Sequence, residues 1–173
     1  RRHIKDIDAK KICSIKDLLV NLEISTNEKI VKIANSIRPN FICIVPENRK
    51  EITTEGGLNL KKNKKKISKI IQRFKKKNIR TSLFINPSIT DIEISKKLRA
   101  DCIEIHTGKL ANLVKSNNNY QKELKKIIRC SKFAHNLGLE VNAGHGLDFK
   151  TTKILNRINE IKEFNIGHFL ISE

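Results

Sequence analysis

Apolar residues fall along this chain in two alternating patterns. Some stretches are short and nearly continuous, such as FICIV at Phe41–Val45, which Pro46 ends. Others recur at helical spacing: Ile30, Val31, Ile33 and Ala34 share one face, as do Ile67, Ile70, Ile71 and Phe74. The pattern predicts a helix over Asp6–Lys16, a strand over Leu18–Glu23 and a helix over Thr26–Ile37. The strand Phe41–Val45 follows, then a TTEGG loop and a lysine-rich helix to about Lys77. Next come a strand at Thr81–Ile85, a helix at Ser88–Leu98 and a strand at Asp101–His106. A long helix from about Tyr120 to Leu137 closes on Gly138, the residue that tolerates a left-handed helix end. Strand Leu139–Ala143, helix Phe149–Ile158 and strand Asn165–Ile171 complete the chain.

Six strands alternate with helices and no hairpin signal lies between them, which predicts βα units and a parallel sheet. A strand apolar on both faces, as Phe41–Val45 reads, fits such a sheet. Each unit takes roughly 29 of the 173 residues, against about 31 in a closed eight-unit barrel of ~250 residues. The expected architecture is therefore α/β, a (β/α)8 TIM barrel with about six of its eight units present, residues 1–173 forming a single partial barrel domain. An open doubly wound sheet would place a GxGxxG turn after its first strand, and the chain has none.

Composition first points elsewhere. A net charge of +18 suggests nucleic acid. The excess is lysine, however, concentrated in KKNKKK (Lys61–Lys66) and Lys75–Lys77, on the outer face of an amphipathic helix. With one tyrosine and no tryptophan there is no aromatic platform for bases. Ile, Asn and Lys crowd the loops as well, as drift of a whole AT-rich genome would give. Nucleic acid is not the expected partner. Cys13, Cys43, Cys102 and Cys130 lie far apart without a CxxC pair and read as reduced, buried side chains, with no metal site. No apolar run reaches membrane-spanning length, and RRHIKDID carries no secretory h-region, so the expected location is cytoplasmic.

The chemistry gathers at strand ends. Of seven glycines, Gly56, Gly57, Gly108, Gly144, Gly146 and Gly167 lie at or after the C-terminal end of a strand. So do His106, His145 and His168, while Glu23 ends its strand and Glu104 sits late in another. In a barrel these positions converge on the rim where such enzymes work. Bare glycine backbone there offers N–H groups to phosphate. Singly, each has a structural reading: Glu23 paired with a lysine, TTEGG a plain turn, Glu104 and His106 a hydrogen-bonded couple on one strand face. Four strands each placing an acid or a histidine on one rim argue for a site.

NLE (Asn21–Glu23), VPE followed by TTEGGL (Thr53–Leu58), IEIHTG (Ile103–Gly108), VNAGHGL (Val141–Leu147) and NIGH (Asn165–His168), together with RRHI and SLFI, resemble the signatures of the pyridoxine 5′-phosphate synthase family of bacterial vitamin B6 biosynthesis, in its order. The resemblance implies condensation of 1-deoxy-D-xylulose 5-phosphate with 3-amino-2-oxopropyl phosphate to pyridoxine 5′-phosphate, phosphate and water, by acid–base chemistry without metal or organic cofactor. It implies Glu23 as general base, His145 as proton donor and Glu104 as a stabiliser of transition-state charge. It implies His3 and Thr53 as contacts to the deoxyxylulose phosphate, and Gly146, Gly167 and His168 as contacts to the amino-ketone phosphate. It also implies a homo-oligomer, typically an octamer. Expulsion of water argues for a lid, either the Thr53–Gly57 loop or the stretch after Gly108.

The family pattern has two further strands before the RRHI equivalent, with Asn-x-Asp-His and His-x-Arg motifs, and a helix beyond the residue matching Glu173. The expectation is a fragment of a complete enzyme, inactive by itself. The alternative is the non-catalytic remnant of an eroded gene. A Schiff-base aldolase would need a lysine on the rim, and the predicted strands place none there. A nucleic-acid-binding protein would show steep salt dependence that survives loss of His145.

Overall fold

Short aliphatic runs pair edge to edge because only a sheet satisfies their backbone while burying both faces. The computed structural model describes residues 4–46 and 56–172. Six strands form one sheet in chain order: β1 (Asn21–Ile24), β2 (Phe41–Ile44), β3 (Arg80–Ile85), β4 (Cys102–His106), β5 (Glu140–Gly144) and β6 (Ile161–Asn165). Every neighbouring pair is parallel. Helices α1 (Asp6–Cys13), α2 (Glu28–Ile37), α3 (Leu60–Lys75), α4 (Ile89–Lys97), α5 (Gly108–Lys115), α6 (Gln121–Asn136), α7 (Phe149–Leu155) and α8 (His168–Ser172) occupy the connections and the start and end of the described chain.

The sheet curls. Laid flat, five steps of about 4.8 Å would part β1 from β6 by roughly 24 Å. Instead Asn21 Nδ2 on β1 donates to Glu163 Oε1 on β6 at 3.0 Å. The two strand faces consequently differ. Ile42, Ile44, Leu83, Ile85, Ile103, Ile105, Val141 and Ala143 face the helices and form the core with Val31, Ile67, Ile71, Phe74 and Ile127. Cys43, Glu104, Asn165, Asn21, Asn142 and Glu163 hydrogen-bond to one another on the inner face. The strand read as apolar on both faces, β2, is so, with Phe41 and Cys43 inward and Ile42 and Ile44 outward; on β1, β4, β5 and β6 the inner face carries the polar residues that fill a site rather than a core.

At the N-terminal ends of the strands, Arg80 pairs with Glu140 and lies 5.4 Å from the centre of the Phe41 ring. The α3 lysines point outward, as the helical spacing predicts, while Leu60, Ile67, Ile70, Ile71 and Phe74 are buried. Most helices are closed by a residue in left-handed geometry. Only α6 uses glycine there, Gly138; Arg38, Asn78, Arg99 and Asn117 serve after α2, α3, α4 and α5.

Three elements differ from expectation. The final strand is Ile161–Asn165 rather than Asn165–Ile171, and residues 168–172 form α8. The FLI run there is largely exposed, with Ile171 at 88%, so it was not the sheet segment its composition suggests. The first strand starts at Asn21, since Leu19 is 70% exposed and does not pair. An additional helix, α5, occupies the stretch after Gly108. Gly108, Leu110, Ala111 and Val114 are buried in it, so this lid candidate is a packed helix rather than an open loop, while residues 53–55 of the other candidate, Thr53–Gly57, lie outside the described residues. Cys43, Cys102 and Cys130 are buried, as expected, but Cys13 is only half-buried.

Candidate active site

The parallel register stacks the strand ends in layers. Glu104 is level with Phe84 on β3 and Asn142 on β5; one step higher, His106 is level with Gly144, and Gly144 with Asn165. Glu104 is buried and well partnered. Its Oε2 accepts from Asn165 Nδ2 at 2.8 Å and from Cys43 Sγ at 3.3 Å. Its Oε1 lies over the bare Cα of Gly144, only 1.9 Å from where a Cβ would stand. Burial pushes the Glu104 carboxyl up from its ordinary 4.5 to about 7, and the nearby charges of Glu23 and Glu163 push the same way. Near neutral pH this group therefore exists in both protonation states. Glu23 itself is exposed on the inner side of β1. Burial, with the Glu104 and Glu23 carboxylates beside it, pushes the Cys43 thiol far above its ordinary range, which leaves it a hydrogen-bond donor.

His145 follows β5 with a φ of +77°, a conformation uncommon for a side-chain-bearing residue. Thr107 holds it there. The buried Thr107 hydroxyl lies 2.7 Å from the Gly144 carbonyl and 2.8 Å from the His145 carbonyl, and its N–H donates to Gly144 at 2.9 Å. The imidazole stacks on that of His106, with centroids 4.7 Å apart and planes 26° from parallel. Phe84 flanks both rings. The Gly108 N–H donates to His106 Nδ1 at 3.3 Å, which fixes the ring's orientation. Glycine is required at 108, where a Cβ would stand 2.7 Å from the His106 ring and 2.8 Å from the His145 ring.

A cleft of about 590 Å³ opens beside these rings, lined by His106, Gly108, Lys109, Asn112, His145 and Gly146 among others. Gly146 has a φ of +74°. Gly167 is exposed with open space where a Cβ would be, and the backbone of His168 begins α8. Gly57 donates to Asn86 Oδ1 at 3.0 Å, and the following Leu58 to the Phe84 carbonyl at 2.9 Å, so this end of the TTEGGL segment is clipped to β3. His3 and Thr53 lie outside the described residues. Of the expected site residues, then, Glu23, Glu104, His145 and Gly146 surround the inner face and the rim of the sheet. Asn165, Thr107, Lys109 and Asn112 were not anticipated. Asn165 and Thr107 stood inside NIGH and IEIHTG, whereas Lys109 and Asn112 lie on the unexpected helix and carried no signal.

Among the described residues, no cluster of three or more His, Cys, Asp or Glu side chains is arranged to hold a metal ion, and no helix is long and apolar enough to cross a membrane.

Fold and site together define a class: a curled parallel α/β protein, TIM-barrel-like, with acid–base groups at the C-terminal ends of its strands. Solved structures agree on the fold. A CutC protein from Streptococcus agalactiae superposes with a TM-score of 0.59 over 92% of this chain and 79% of its own, at 11% identity. A xylose isomerase domain protein from Planctomyces limnophilus gives 0.52 over 86% and 62%, at 9% identity. Sequence comparison is sharper. The model of the family described as pyridoxal phosphate biosynthesis protein PdxJ matches residues 1–173. Pyridoxine 5′-phosphate synthase of Pelagibacter ubique is 62% identical over 173 residues, which is all of this chain and 72% of the relative. The synthase of Prochlorococcus marinus is 42% identical over 172 residues, 99% of this chain and 71% of the relative. The chain belongs to the PdxJ family.

Proposed function

We propose that the protein is a pyridoxine 5′-phosphate synthase, condensing 1-deoxy-D-xylulose 5-phosphate with 3-amino-2-oxopropyl phosphate. The observation that carries this reading is the family match over residues 1–173, whose motifs the fold gathers into one site, with Glu104 buried beneath the stacked His106 and His145 rings. Ring closure from two open chains passes through imine formation, dehydrations and loss of phosphate, and each step moves protons. Glu23, exposed on the inner side of β1, serves as the base that takes a proton from substrate carbon or nitrogen. His145, held on the rim by Thr107, returns a proton to the departing oxygen. Glu104 in its protonated form donates a hydrogen bond to negative charge as it develops on a substrate oxygen.

Both substrates are phosphates. Gly146, Gly167 and His168 take the phosphate of the amino ketone, the glycines through backbone N–H groups, while His3 and Thr53 take that of the deoxyxylulose. The chain supplies six strands of a (β/α)8 barrel in a single domain, and the working protein is a cytoplasmic homo-oligomer, an octamer by resemblance. No cofactor takes part.

The test is direct. The protein expressed from its complete gene is mixed with both phosphates, and pyridoxine 5′-phosphate is sought by mass spectrometry. Product that disappears in His145→Ala and Glu23→Gln supports the synthase. Absence of product from a folded native protein overturns it and leaves the eroded remnant.

A further inference from the structure

One contact at the site has no part in the proton transfers above. Asn165 stands at the end of β6, in register with Gly144 on β5 and one layer above Glu104 on β4. Its side chain reaches down and across a whole strand to place Nδ2 2.8 Å from Glu104 Oε2. The path exists only because β5 ends on glycine. A Cβ on Gly144 would stand 1.9 Å from Glu104 Oε1 and 3.2 Å from the Asn165 Cβ, so it would drive the two partners apart. Cys43, from the opposite side, gives the same oxygen a second and longer hydrogen bond of 3.3 Å. Oε2 is thereby held by donors from β2 and β6, and Oε1 is left over the Gly144 backbone.

We propose that Asn165 is a positioning residue, which through its amide and the bare Gly144 fixes the orientation of the Glu104 carboxyl and leaves Oε1 to face the substrate. The residue type fits the task. Aspartate has no donor, serine is too short to cross the strand, and leucine fills the space without a hydrogen bond. Beyond Cys43 and Asn165, the groups facing this carboxyl are Glu23 from β1 and Glu163 from β6. Asn165 thus makes the shorter of two hydrogen bonds, 2.8 Å against 3.3 Å from Cys43, set against two acidic neighbours. The inference rests on the role given to Glu104 above.

The experiment uses the protein from its complete gene, labelled with ¹³C at glutamate side-chain carboxyls, with Glu104→Gln identifying the Glu104 resonance. Asn165→Leu and Asn165→Asp are compared with wild type for kcat, KM and the titration of that resonance. Loss of a donor to the ionised form should move the Glu104 titration to higher pH, by about one unit for leucine and more for aspartate. In both variants kcat should fall about 10-fold or more while KM stays within about threefold, the mark of an interaction realised in the transition state. A merely structural asparagine would lower the yield of folded enzyme without moving the titration. If Asn165→Leu does not fold, the isosteric Asn165→Asp decides. Wild-type kcat and an unmoved resonance, in an enzyme that Glu104→Gln inactivates, overturn the positioning role. Full activity in Glu104→Gln instead overturns the role of Glu104 itself.

Discussion

Two glycines separate packing from chemistry. Gly144→Ala places a methyl group against the Glu104 carboxyl, 1.9 Å from one oxygen and 2.9 Å from the carboxyl carbon. The side chain must leave its seat, and overpacking of this kind costs about 1–3 kcal/mol. We expect activity to collapse and the thermal midpoint to fall. Gly167→Ala meets nothing within 4 Å and has no left-handed backbone to strain. Its stability should stay within about 0.5 kcal/mol of wild type. A change confined to KM for the amino ketone would then report the proposed phosphate contact. Thermal melts and steady-state kinetics on both variants check this. The same residues show what could be read in advance. Glu23, Glu104, His145 and Gly146 stood out because acids, histidines and glycines clustered at predicted strand ends. Asn165 did not, since asparagine is everywhere in this chain, and its reach over a missing side chain exists only in three dimensions.

Titration of Glu104 also sets a stability slope. Its carboxyl ionises near 4.5 when exposed and about 7 in the fold. Below the lower value both states hold the proton and the fold suffers no penalty. As pH rises to the upper value, ionisation favours the unfolded chain, on the order of 3 kcal/mol at 1.36 per unit. Glu104→Gln should be more stable than wild type at pH 8 and equal to it near pH 4, as denaturant melts at the two values would show. A flat difference between them would mean that Glu104 is already ionised below neutrality.

Among the elements, β3 and β4 are joined by a polar clip at their N-terminal ends. Asp101 Oδ2 accepts from the Thr81 N–H at 2.9 Å and from its hydroxyl at 2.8 Å, and Oδ1 pairs with Lys75 Nζ at 2.8 Å. Burial works to raise this carboxyl, but the Lys75 ammonium and the Thr81 donors outweigh it and hold it below its usual range. Asp101→Ala should cost about 1–3 kcal/mol, because it orphans the Thr81 N–H. The wild-type contribution should fade only below pH 4, where Asp101 protonates, opposite in sense to Glu104. Urea titrations of both proteins between pH 3 and 7 measure it. Elements with long periodic faces, α2, α3 and α6, were legible in sequence. Those that failed, α5 and the β6–α8 segment, are short. In so short a window, FLI after a glycine fits strand or helix equally, and the choice fell to pairing of Ile161–Asn165 with β5.

At the scale of the whole molecule, the curl of the sheet leaves two edges to account for. The sheet bends until Asn21 and Glu163 touch, yet among the described residues no strand covers the outer edge of β1 or of β6. Uncovered parallel edges invite pairing with other chains. Exposed Ile7, Ile12, Ile15 and Leu19 lie in and just after α1, before β1, while Leu170 and Ile171 lie in α8, after β6. A polypeptide of residues 1–173 alone should therefore self-associate as its concentration rises, whereas the protein from the complete gene should hold one defined mass. Light scattering coupled to gel filtration distinguishes them, and a monodisperse monomer of the short chain would refute the expectation.

The helix ends hold a reserve of another kind. Arg38 and Arg99 sit at φ values of 58° and 63°, a geometry in which a Cβ crowds its own carbonyl. Neither arginine is buried. Glycine would be the relaxed choice at both positions, since it adopts this geometry without a Cβ to crowd. Placing it there should then be nearly free of side effects: Arg99→Gly, far from any acid–base group, would raise stability by up to about 1 kcal/mol after the added freedom of the unfolded chain is deducted. If the melting temperature falls instead, the arginine side chain holds something there. If it rises, the backbone geometry at this helix end, and no contact of the arginine, limits stability there.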